Sequence, residues 1–355
     1  MTVFSHESFA DHEQVVFVSD ESVGLKAVIA IHDTSLGPAL GGCRMYPYED
    51  EQAALRDVLR LSRGMTYKAA AAQLDLGGGK AVIIGDPRRQ KTPELLQAMG
   101  RAVERLGGRY ITAEDVGTSV VDFAEVRKST RHVVGLPVEL GGSGDPSPTT
   151  ALGVFYGLDA AARYRWRAES LSGRSVAVQG LGNVGWYLCQ LLREAGASLV
   201  VSDVDEARVA KAVSTFAARA VDPDEIYAVE ADIFAPCAMG AVLNDTSVGH
   251  LRCEIVGGAA NNQLAREEHG EQLRVRGILY APDFVINAGG MIRVASERDG
   301  YDEDLVKRGV EGIGRTLHAI FERAEADGVS TQKAALRLAQ ARLVRAGSEK
   351  QALVA

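Results

Sequence analysis

Two lysines lie in segments where an ordinary solvent-exposed lysine is not expected. Lys68 precedes four consecutive alanines, and Lys80 lies between three glycines and an Ala-Val-Ile-Ile run. Taken singly, each fits a surface lysine whose aliphatic stem packs on the protein while its ammonium group reaches water. Taken together in one apolar pocket, one amine could bind a carboxylate, while desolvation and repulsion lower the pKa of the other until it transfers protons near neutral pH. Asp115, at the end of a short predicted strand, could supply the complementary carboxylate.

A glycine-rich turn follows a predicted strand in the second half of the chain. It has the pattern Gly-x-Gly-x-x-Gly and consists of Gly180, Leu181, Gly182, Asn183, Val184 and Gly185. In such a turn the first glycine permits a sharp bend, the second lets a pyrophosphate approach the backbone, and the third allows close helix packing. A merely flexible turn is the alternative, but the flanking strand, the following helix and the next strand together favour dinucleotide binding.

Asp203 lies 23 residues after Gly180, at the end of the next predicted strand. This is near the spacing at which a carboxylate accepts hydrogen bonds from the adenosine ribose of a dinucleotide. Its negative charge would repel a 2′-phosphate, and Asp205 adds to the repulsion, so the pattern favours NAD over NADP. The alternative is that Asp203 only caps the following helix.

Composition and charge exclude several classes of protein. The chain has 355 residues, of which 46% are hydrophobic and 24% charged, enough apolar material for two globular domains. Its 39 basic and 47 acidic residues give a net charge of −8, which provides no basic surface for nucleic acid. Apolar runs are too short to span a membrane, and the N-terminus does not resemble a signal peptide, so we expect a cytoplasmic protein. Four scattered cysteines without a CxxC pair indicate reduced thiols, and no metal site is predicted.

The order of predicted elements indicates an α/β fold with two domains separated by a cleft. Residues 141–148, rich in glycine and proline, separate two differently organised halves and are interpreted as a hinge. Residues 1–148 are predicted to form an α/β substrate-binding, catalytic and oligomerisation domain. Residues 149–340 are predicted to form a Rossmann-type, doubly wound parallel sheet that binds NAD, and residues 341–355 a C-terminal helix end. The predicted strands cover residues 15–19, 25–32, 80–84, 110–112, 175–179, 199–202, 226–229, 254–256 and 284–286.

Eight motifs, in order along the chain, resemble those of a known family. They are Pro38-Ala-Leu-Gly-Gly-Cys-Arg-Met45, Met65-Thr-Tyr-Lys68, Gly77-Gly-Gly-Lys-Ala81, Thr112-Ala-Glu-Asp-Val-Gly117, Pro146-Ser-Pro148, Gly180 to Gly185, Gly257-Gly-Ala-Ala-Asn-Asn262 and Asn287-Ala-Gly-Gly290. The chain resembles the amino-acid dehydrogenases that act on glutamate, leucine, valine and phenylalanine, from about residue 15 to about residue 340. It is most similar to the leucine and phenylalanine branch.

The resemblance implies reversible, NAD-dependent oxidative deamination of an L-amino acid to its 2-oxo acid and ammonia. It implies that Lys68 binds the substrate carboxylate, helped by main-chain groups of Gly41 and Gly42. It assigns acid–base chemistry to Lys80, which would activate the water that attacks the imine. It implies that Asp115 binds the substrate amino group and exchanges protons with it.

The same resemblance implies further contacts and a quaternary structure. Thr150, Asn262 and Asn287 match polar positions around the nicotinamide and the substrate. Identical subunits are expected to assemble into a homo-oligomer, and the expected partners are small molecules only.

Four apolar residues are placed near the substrate side chain by the resemblance: Leu40, Ala113, Val134 and Val294. Ordinary core packing is the alternative for each of them. A glutamate side chain would need a cation in the pocket, and both lysines already have roles. Val134 stands where the leucine branch often carries threonine, so the expected substrate is L-phenylalanine, with leucine or valine as the alternative. One or two methylene groups change the binding free energy by only about 1–3 kcal/mol, so the sequence leaves this choice open.

Two other functional classes compete with an enzyme. A non-catalytic NAD-sensing protein could keep the same fold, but the presence of both Lys68 and Lys80 argues against it. A nucleic-acid-binding redox sensor would need a basic face or a helix-turn-helix segment, which the net charge of −8 does not favour.

Overall fold

The structure is a computed structural model that describes residues 3–167 and 170–354. It divides the chain into two compact units. The first unit contains Met1–Gly144, Arg293–Glu303 and Ala339–Ala355, and the second contains Asp145–Ile292 and Asp304–Leu338. Within the described ranges, no helix combines the length and apolar composition that a membrane-spanning helix requires.

The first unit is built on a mixed sheet of five strands. They are β1 (Gln14–Asp20), β2 (Leu25–Asp33), β3 (Ala39–Tyr46), β4 (Gly77–Ile84) and β5 (Tyr110–Glu114), with helices α1 (Glu51–Ala71), α2 (Pro93–Glu104) and α3 (Val120–Arg127). The strands lie in the order β1-β2-β4-β3-β5. Strands β1 and β4 run antiparallel to β2, whereas β4 and β5 run parallel to β3. The ends of β4 and β5 therefore lie on either side of β3.

The two faces of this sheet have different neighbours, because successive side chains of a strand point to opposite faces. The core on one face includes residues of α2 and α3 together with Ile29, Cys43 and Ile83. The core on the other face includes residues of α1 together with Val28, Ala30 and Val82. Arg44 is directly paired with Val82 across β3 and β4, and Lys80 precedes Val82 by two residues. Both cationic side chains therefore belong to the α1 face.

Three successive glycines at residues 77–79 bring α1 close to the sheet. A Cβ atom on Gly78 would lie 2.0 Å from the backbone nitrogen of Thr66 in α1. A Cβ atom on Gly79 would lie 2.7 Å from the Tyr110 ring on the other face. Only glycine allows both approaches, so this run sets the distance between Lys80 and the helix that carries Lys68.

Strand β3 was not predicted. Its first half contains Gly41 and Gly42, and glycine is depleted in strands because it has no side chain to pack. The neighbouring strand requires it here, since a Cβ atom on Gly41 would lie 1.8 Å from the Gly79 carbonyl oxygen. Packing thus overrides propensity at this position.

The second unit has a parallel sheet of six strands. They are β6 (Ser175–Gln179), β7 (Ser198–Ser202), β8 (Arg219–Ala220), β9 (Ile233–Pro236), β10 (Ile255–Val256) and β11 (Leu279–Tyr280). The helices that follow the first three in chain order are α4 (Ser147–Trp166), α5 (Asn183–Glu194), α6 (Glu206–Phe216), α7 (Ser247–His250), α8 (Glu268–Val275), α9 (Asp283–Ile286), α10 (Gly289–Ser296), α11 (Glu303–Asp327) and α12 (Thr331–Val354). The strand order is β11-β10-β9-β6-β7-β8, and every pair is parallel. This is the doubly wound Rossmann order, with its switch point between β6 and β9, and it confirms the predicted fold class.

Two predicted strands of this unit are wrong. Residues 226–229 include a 3-10 helix, Ile226–Ala228, and residues 284–286 belong to α9. Apolar runs this short do not distinguish a strand from a buried helical turn. At α9 the carboxylate of Asp283 accepts hydrogen bonds from the backbone nitrogens of Gln263 and Phe284, which fixes the turn.

The assignment of residues 149–340 to one continuous domain differs from the structure at Arg293–Glu303, which belongs to the first unit. Glu297 accepts hydrogen bonds from the backbone nitrogens of Gly135 and Ser143, each at 2.8 Å. The end of α12 also belongs to the first unit, where the Arg342 side chain donates to the Ala70 carbonyl oxygen at the end of α1. Helical periodicity shows that a helix has a buried face, but it does not show which core covers that face.

Candidate active site

Lys80 and Asp115 form an ion pair in the first unit, in which the lysine is buried and the aspartate half-buried. Lys80 is 6% exposed on β4, and its Nζ atom donates to Oδ2 of Asp115, just beyond β5. Burial, then the charges of Arg44 and Lys68, lowers the pKa of Lys80 from 10.5 to about 7. An amine with this pKa can both accept and release a proton near neutral pH.

Gly42 on β3 leaves room for this pair. A Cβ atom on Gly42 would lie 2.9 Å from the Asp115 Cβ atom and 2.5 Å from the Glu114 carbonyl oxygen. The side chain of Asp115 thus lies directly against the glycine backbone. Gly41 precedes it and accepts a hydrogen bond from the Tyr110 hydroxyl through its carbonyl oxygen, at 2.6 Å.

Lys68 is half-buried in the last turn of α1, on the helix that covers the Lys80 face of the sheet. Its positive charge is the smallest of the named causes that lower the pKa of Lys80. The structure therefore brings together the three charged residues that the sequence singled out.

The four apolar residues predicted near the substrate side chain all belong to the first unit. Leu40 precedes Gly42 by two residues on β3, and Ala113 is directly paired with Gly42, so both share the face of Asp115. The Val134 backbone nitrogen donates to the Thr112 carbonyl oxygen at 3.0 Å, beside β5. Val294 is half-buried on α10, in the segment Arg293–Glu303. Three of the four thus lie along β3 and β5 near the charged residues.

Arg44 and Asp57 belong to the same cluster, although no role was predicted for either residue from the sequence. Arg44 Nη2 lies 3.5 Å from Asp115 Oδ1, and its Nη1 donates to Asp57 Oδ2 at 2.9 Å. Arg44 follows Gly42 by two residues on β3 and so faces the same way, but this follows only from a strand that was not predicted. Cys43, between them, faces the opposite core, where burial raises its pKa to about 12 and keeps it a thiol.

The glycine-rich turn of the second unit has the geometry of a phosphate-binding loop. Gly180 has φ = +97°, and a Cβ atom there would lie 2.7 Å from the Ala238 side chain. A Cβ atom on Gly185 would lie 2.0 Å from the Gly180 carbonyl oxygen, so this glycine brings α5 close to β6. At Gly182 the nearest neighbour of such an atom is an arginine nitrogen 4.0 Å away, which leaves space for a ligand beside the backbone. Asn183 and Val184 begin α5, so their backbone N–H groups lie at its positive end.

Asp203 closes the turn from the end of β7. Its Oδ2 atom accepts a hydrogen bond from the Leu181 backbone nitrogen at 2.6 Å, and its Oδ1 accepts from the Asp205 nitrogen at 2.9 Å. Asp205, and not Asp203, caps α6 by accepting from the nitrogens of Ala207 and Arg208. The alternative reading of Asp203 as the cap of the next helix is therefore wrong.

Asn287 presents a buried amide next to the carboxyl end of the parallel sheet. It is 3% exposed, and its Nδ2 atom donates to the Ala259 carbonyl oxygen and to Asn261 Oδ1. Its Oδ1 atom is buried with no hydrogen-bond partner among the described residues, which suits an acceptor for a ligand amide. Asn262 is exposed with φ = +50°, and the Thr150 hydroxyl donates to the Pro146 carbonyl oxygen at 3.0 Å. The orphaned acceptor and the open glycine turn both fit a dinucleotide.

A Rossmann-order sheet with this turn, together with an amine–carboxylate pair, is the combination expected of a dinucleotide-dependent dehydrogenase. Comparison with known proteins identifies the family. The model of the Glu/Leu/Phe/Val dehydrogenase dimerisation domain matches residues 12–132, and that of the Glutamate/Leucine/Phenylalanine/Valine dehydrogenase matches residues 141–209 and 201–350. The chain belongs to this family of amino-acid dehydrogenases, whose cofactor is NAD(H).

Curated relatives and a solved structure show the same family over nearly the whole chain. The leucine dehydrogenase of Bacillus subtilis is 52% identical over 345 residues, covering 97% of this chain and 95% of the relative. The phenylalanine dehydrogenase of Caldalkalibacillus thermarum is 49% identical over 348 residues, covering 97% and 94%. The crystal structure of the L-tryptophan dehydrogenase from Nostoc punctiforme has a TM-score of 0.85 at 49% identity, covering 95% of this chain and 97% of that one.

Proposed function

We propose that the protein catalyses the reversible, NAD-dependent oxidative deamination of an apolar L-amino acid to its 2-oxo acid and ammonia. The observation that carries the proposal is the Lys80–Asp115 pair, buried beside Lys68 on a sheet face that also carries Leu40 and Ala113. The carboxylate, the amino group and the apolar side chain of such a substrate would each find a complementary residue in this cluster.

Each charged residue has a separate task in the proposed reaction. Lys68 binds the substrate carboxylate, together with the main chain of Gly41 and Gly42. Lys80, neutral above its pKa of about 7, takes a proton from the water that attacks the imine carbon. Asp115 holds the amino group and accepts and returns a proton as ammonia leaves. Bound NAD would supply the acceptor for the hydride that leaves Cα.

The second unit is proposed to bind NAD through the turn Gly180–Gly185 and Asn287. Asp203 carries a negative charge beside this turn, which favours the free ribose hydroxyls of NAD over the 2′-phosphate of NADP. Asn262 and Thr150 are proposed to contact the nicotinamide or the substrate.

The choice among apolar substrates has two candidates. L-Phenylalanine is favoured by Val134, a buried apolar residue that follows the strand carrying Ala113. L-Leucine is favoured by the leucine dehydrogenases among the relatives, one of which is 52% identical. L-Glutamate is disfavoured because Arg44 is already paired with Asp57 and Asp115.

The test is a substrate panel with the purified protein, following NADH formation at mildly alkaline pH. We expect turnover of phenylalanine, leucine or valine and none of glutamate, and the ratio of kcat/KM for phenylalanine and leucine assigns the substrate. Lys80→Met should reduce kcat by about 1,000-fold, the scale of a lost general acid–base. Lys26→Met, at an exposed lysine on β2, is the matched control and should retain full activity. Absence of turnover with every L-amino acid would refute the proposed function.

A further inference from the structure

Arg44 connects the Lys80–Asp115 pair to a second carboxylate, and none of the roles proposed above uses it. Its Nη2 lies 3.5 Å from Asp115 Oδ1, and its Nη1 donates to Asp57 Oδ2 at 2.9 Å. Its Nε atom is buried with no hydrogen-bond partner among the described residues. The guanidinium therefore bridges a carboxylate of α1 and the carboxylate that follows β5.

The contacts of Asp115 show what Arg44 contributes to it. Lys80 donates to Oδ2, while Oδ1 accepts from the Val116 backbone nitrogen at 2.6 Å and faces Arg44. The charge of Lys80 changes when it transfers a proton, so its attraction for Asp115 is not constant. A guanidinium keeps its proton in proteins, so Arg44 supplies an attraction that persists in both protonation states of Lys80.

Arg44 is itself held in place by two side chains. The Tyr48 hydroxyl donates to the same Asp57 oxygen at 2.6 Å. Burial and the neighbouring Asp57 raise the pKa of Tyr48, so the hydroxyl keeps its proton and remains a donor. The carboxylate of Asp57 is thereby oriented toward the planar fork of Arg44.

We propose that Arg44, held by Asp57 and Tyr48, is a positioning residue that fixes the Asp115 carboxylate against Lys80 during amino-acid deamination. This inference rests on the proposed function for its catalytic consequence. Its structural basis is the hydrogen-bonded series Tyr48, Asp57, Arg44 and Asp115, which links α1 to the end of β5.

Arg44 also affects the proton equilibrium of Lys80. The titratable or charged groups that face Lys80 are Arg44 from β3, Asp57 and Lys68 from α1, and Asp115 after β5, while Cys43 lies close by on the opposite face of β3. Among the charges, Arg44 contributes most to lowering the pKa of Lys80, and Asp57 opposes it. Removing the Arg44 charge while Asp57 remains should therefore raise the pKa of Lys80.

The experiment compares Arg44→Gln and Arg44→Lys with the wild type by the pH dependence of kcat/KM for deamination. Arg44→Gln should move the acid limb upward by about one pH unit and lower kcat about 10- to 100-fold, with the KM for NAD unchanged. Arg44→Lys should keep the acid limb near the wild-type position, because the charge is retained. Its kcat should still fall about 10-fold, because one ammonium group cannot reproduce the two-carboxylate geometry.

Two further variants separate positioning from general damage. Tyr48→Phe removes a single hydroxyl, so it tests the inference even if Arg44→Gln does not fold. It should lower kcat about threefold or more without changing the KM for NAD. Arg56→Gln is the matched control, since Arg56 is an exposed residue of α1 that pairs with Glu7, and it should behave as wild type. Wild-type kcat and acid limb in Arg44→Gln, or wild-type kcat in a folded Tyr48→Phe, would overturn the inference.

A readout independent of turnover distinguishes this inference from the proposed function. The rate at which an amine-acylating reagent labels Lys80 is measured against pH by mass spectrometry, without substrate or NAD. The midpoint should lie near pH 7 in the wild type and higher in Arg44→Gln. An unchanged midpoint refutes the role of Arg44, whereas an inactive wild type with a shifted midpoint refutes the proposed function alone.

Discussion

Single glycines control the distances between the reacting groups of the first unit. Gly42 is the clearest case, because an added Cβ atom would lie 2.5 Å from the Glu114 carbonyl oxygen and 2.9 Å from the Asp115 Cβ atom. Both neighbours belong to the segment that carries the carboxylate paired with Lys80. A substitution at this glycine acts on the geometry of the site without removing any charged group.

Gly42→Ala should therefore displace Asp115 and reduce kcat/KM about 100-fold, the cost of misplacing a reacting group by about 1 Å. Overpacking should also reduce the free energy of unfolding by about 1–3 kcal/mol. The measurements are steady-state kinetics and urea denaturation. Gly64→Ala is the matched control, because Gly64 lies in α1 with no heavy atom within 4 Å of the added Cβ. It should increase stability by about 1 kcal/mol and leave kcat/KM unchanged, whereas wild-type kinetics in Gly42→Ala would contradict the role of this glycine.

The residues predictable from sequence were those whose local context is unusual. Lys68 and Lys80 stand in apolar, glycine-rich segments, and the Gly180 turn follows a strand and opens a helix. Arg44 and Asp57 were not predictable in the same way, because an arginine and an aspartate 13 residues apart have no distinctive pattern. Arg44 lies beside the Lys80–Asp115 pair only because its strand, β3, is placed between β4 and β5, and this strand order is known only from the fold.

At the level of elements, the end of α1 positions Lys68. The last carbonyl groups of a helix have no partner within it. Here the Arg342 side chain of α12 donates to the carbonyl oxygens of Ala70 and Leu74, at 3.2 and 2.8 Å, and pairs with Asp75. The Arg342 side chain thus stabilises both the last turn of α1, in which Lys68 lies, and the segment that follows this helix.

Arg342→Ala should lower the free energy of unfolding by about 1–3 kcal/mol, because the carbonyl oxygens of Ala70 and Leu74 lose a charged hydrogen-bond donor. It should also raise the KM for the amino acid, because the turn that carries Lys68 is less well fixed. Urea denaturation and substrate titration measure the two effects. Arg345→Ala, three residues further along α12 at an exposed position, should change neither quantity. Equal behaviour of the two variants would show that Arg342 does not support α1.

The elements themselves were predictable to different degrees for physical reasons. Strands β6 and β7 have β-branched apolar residues flanked by turn residues, and both were predicted close to their observed bounds. Strand β3 was missed because its glycines are required by close strand packing. Helix α9 was mistaken for a strand because three of its four residues, Phe284, Val285 and Ile286, are apolar. Local propensity therefore fails where a tertiary contact decides the conformation.

At the level of the whole molecule, the division into two units was predictable but their composition was not. The breaker-rich residues 141–148 include the boundary at Gly144 and Asp145. The return of Arg293–Glu303 to the first unit depends on contacts such as those of Glu297 with Gly135 and Ser143, more than 150 residues away in the chain. Contacts over such separations leave no periodic pattern in the sequence.

The first unit has features from which we expect the protein to associate with further copies of itself. The family model that matches residues 12–132 describes a dimerisation domain. Strand β1 lies at the edge of the five-stranded sheet, and its Phe17 side chain is 60% exposed. An apolar side chain on an edge strand favours pairing with another chain, and a second copy of this protein is the partner we expect.

Light scattering after size-exclusion chromatography should give a mass that is a multiple of 37.8 kDa for the wild type. Phe17→Lys should shift the mass toward 37.8 kDa, because the interface would have to bury an ammonium group. Val275→Lys is the control, since Val275 is 73% exposed on α8 of the second unit, and it should leave the mass unchanged. A wild-type mass of 37.8 kDa at micromolar concentration would contradict self-association. An oligomer that is unaffected by Phe17→Lys would place the interface away from β1, since a lysine at the centre of a buried contact costs several kcal/mol unless it is paired.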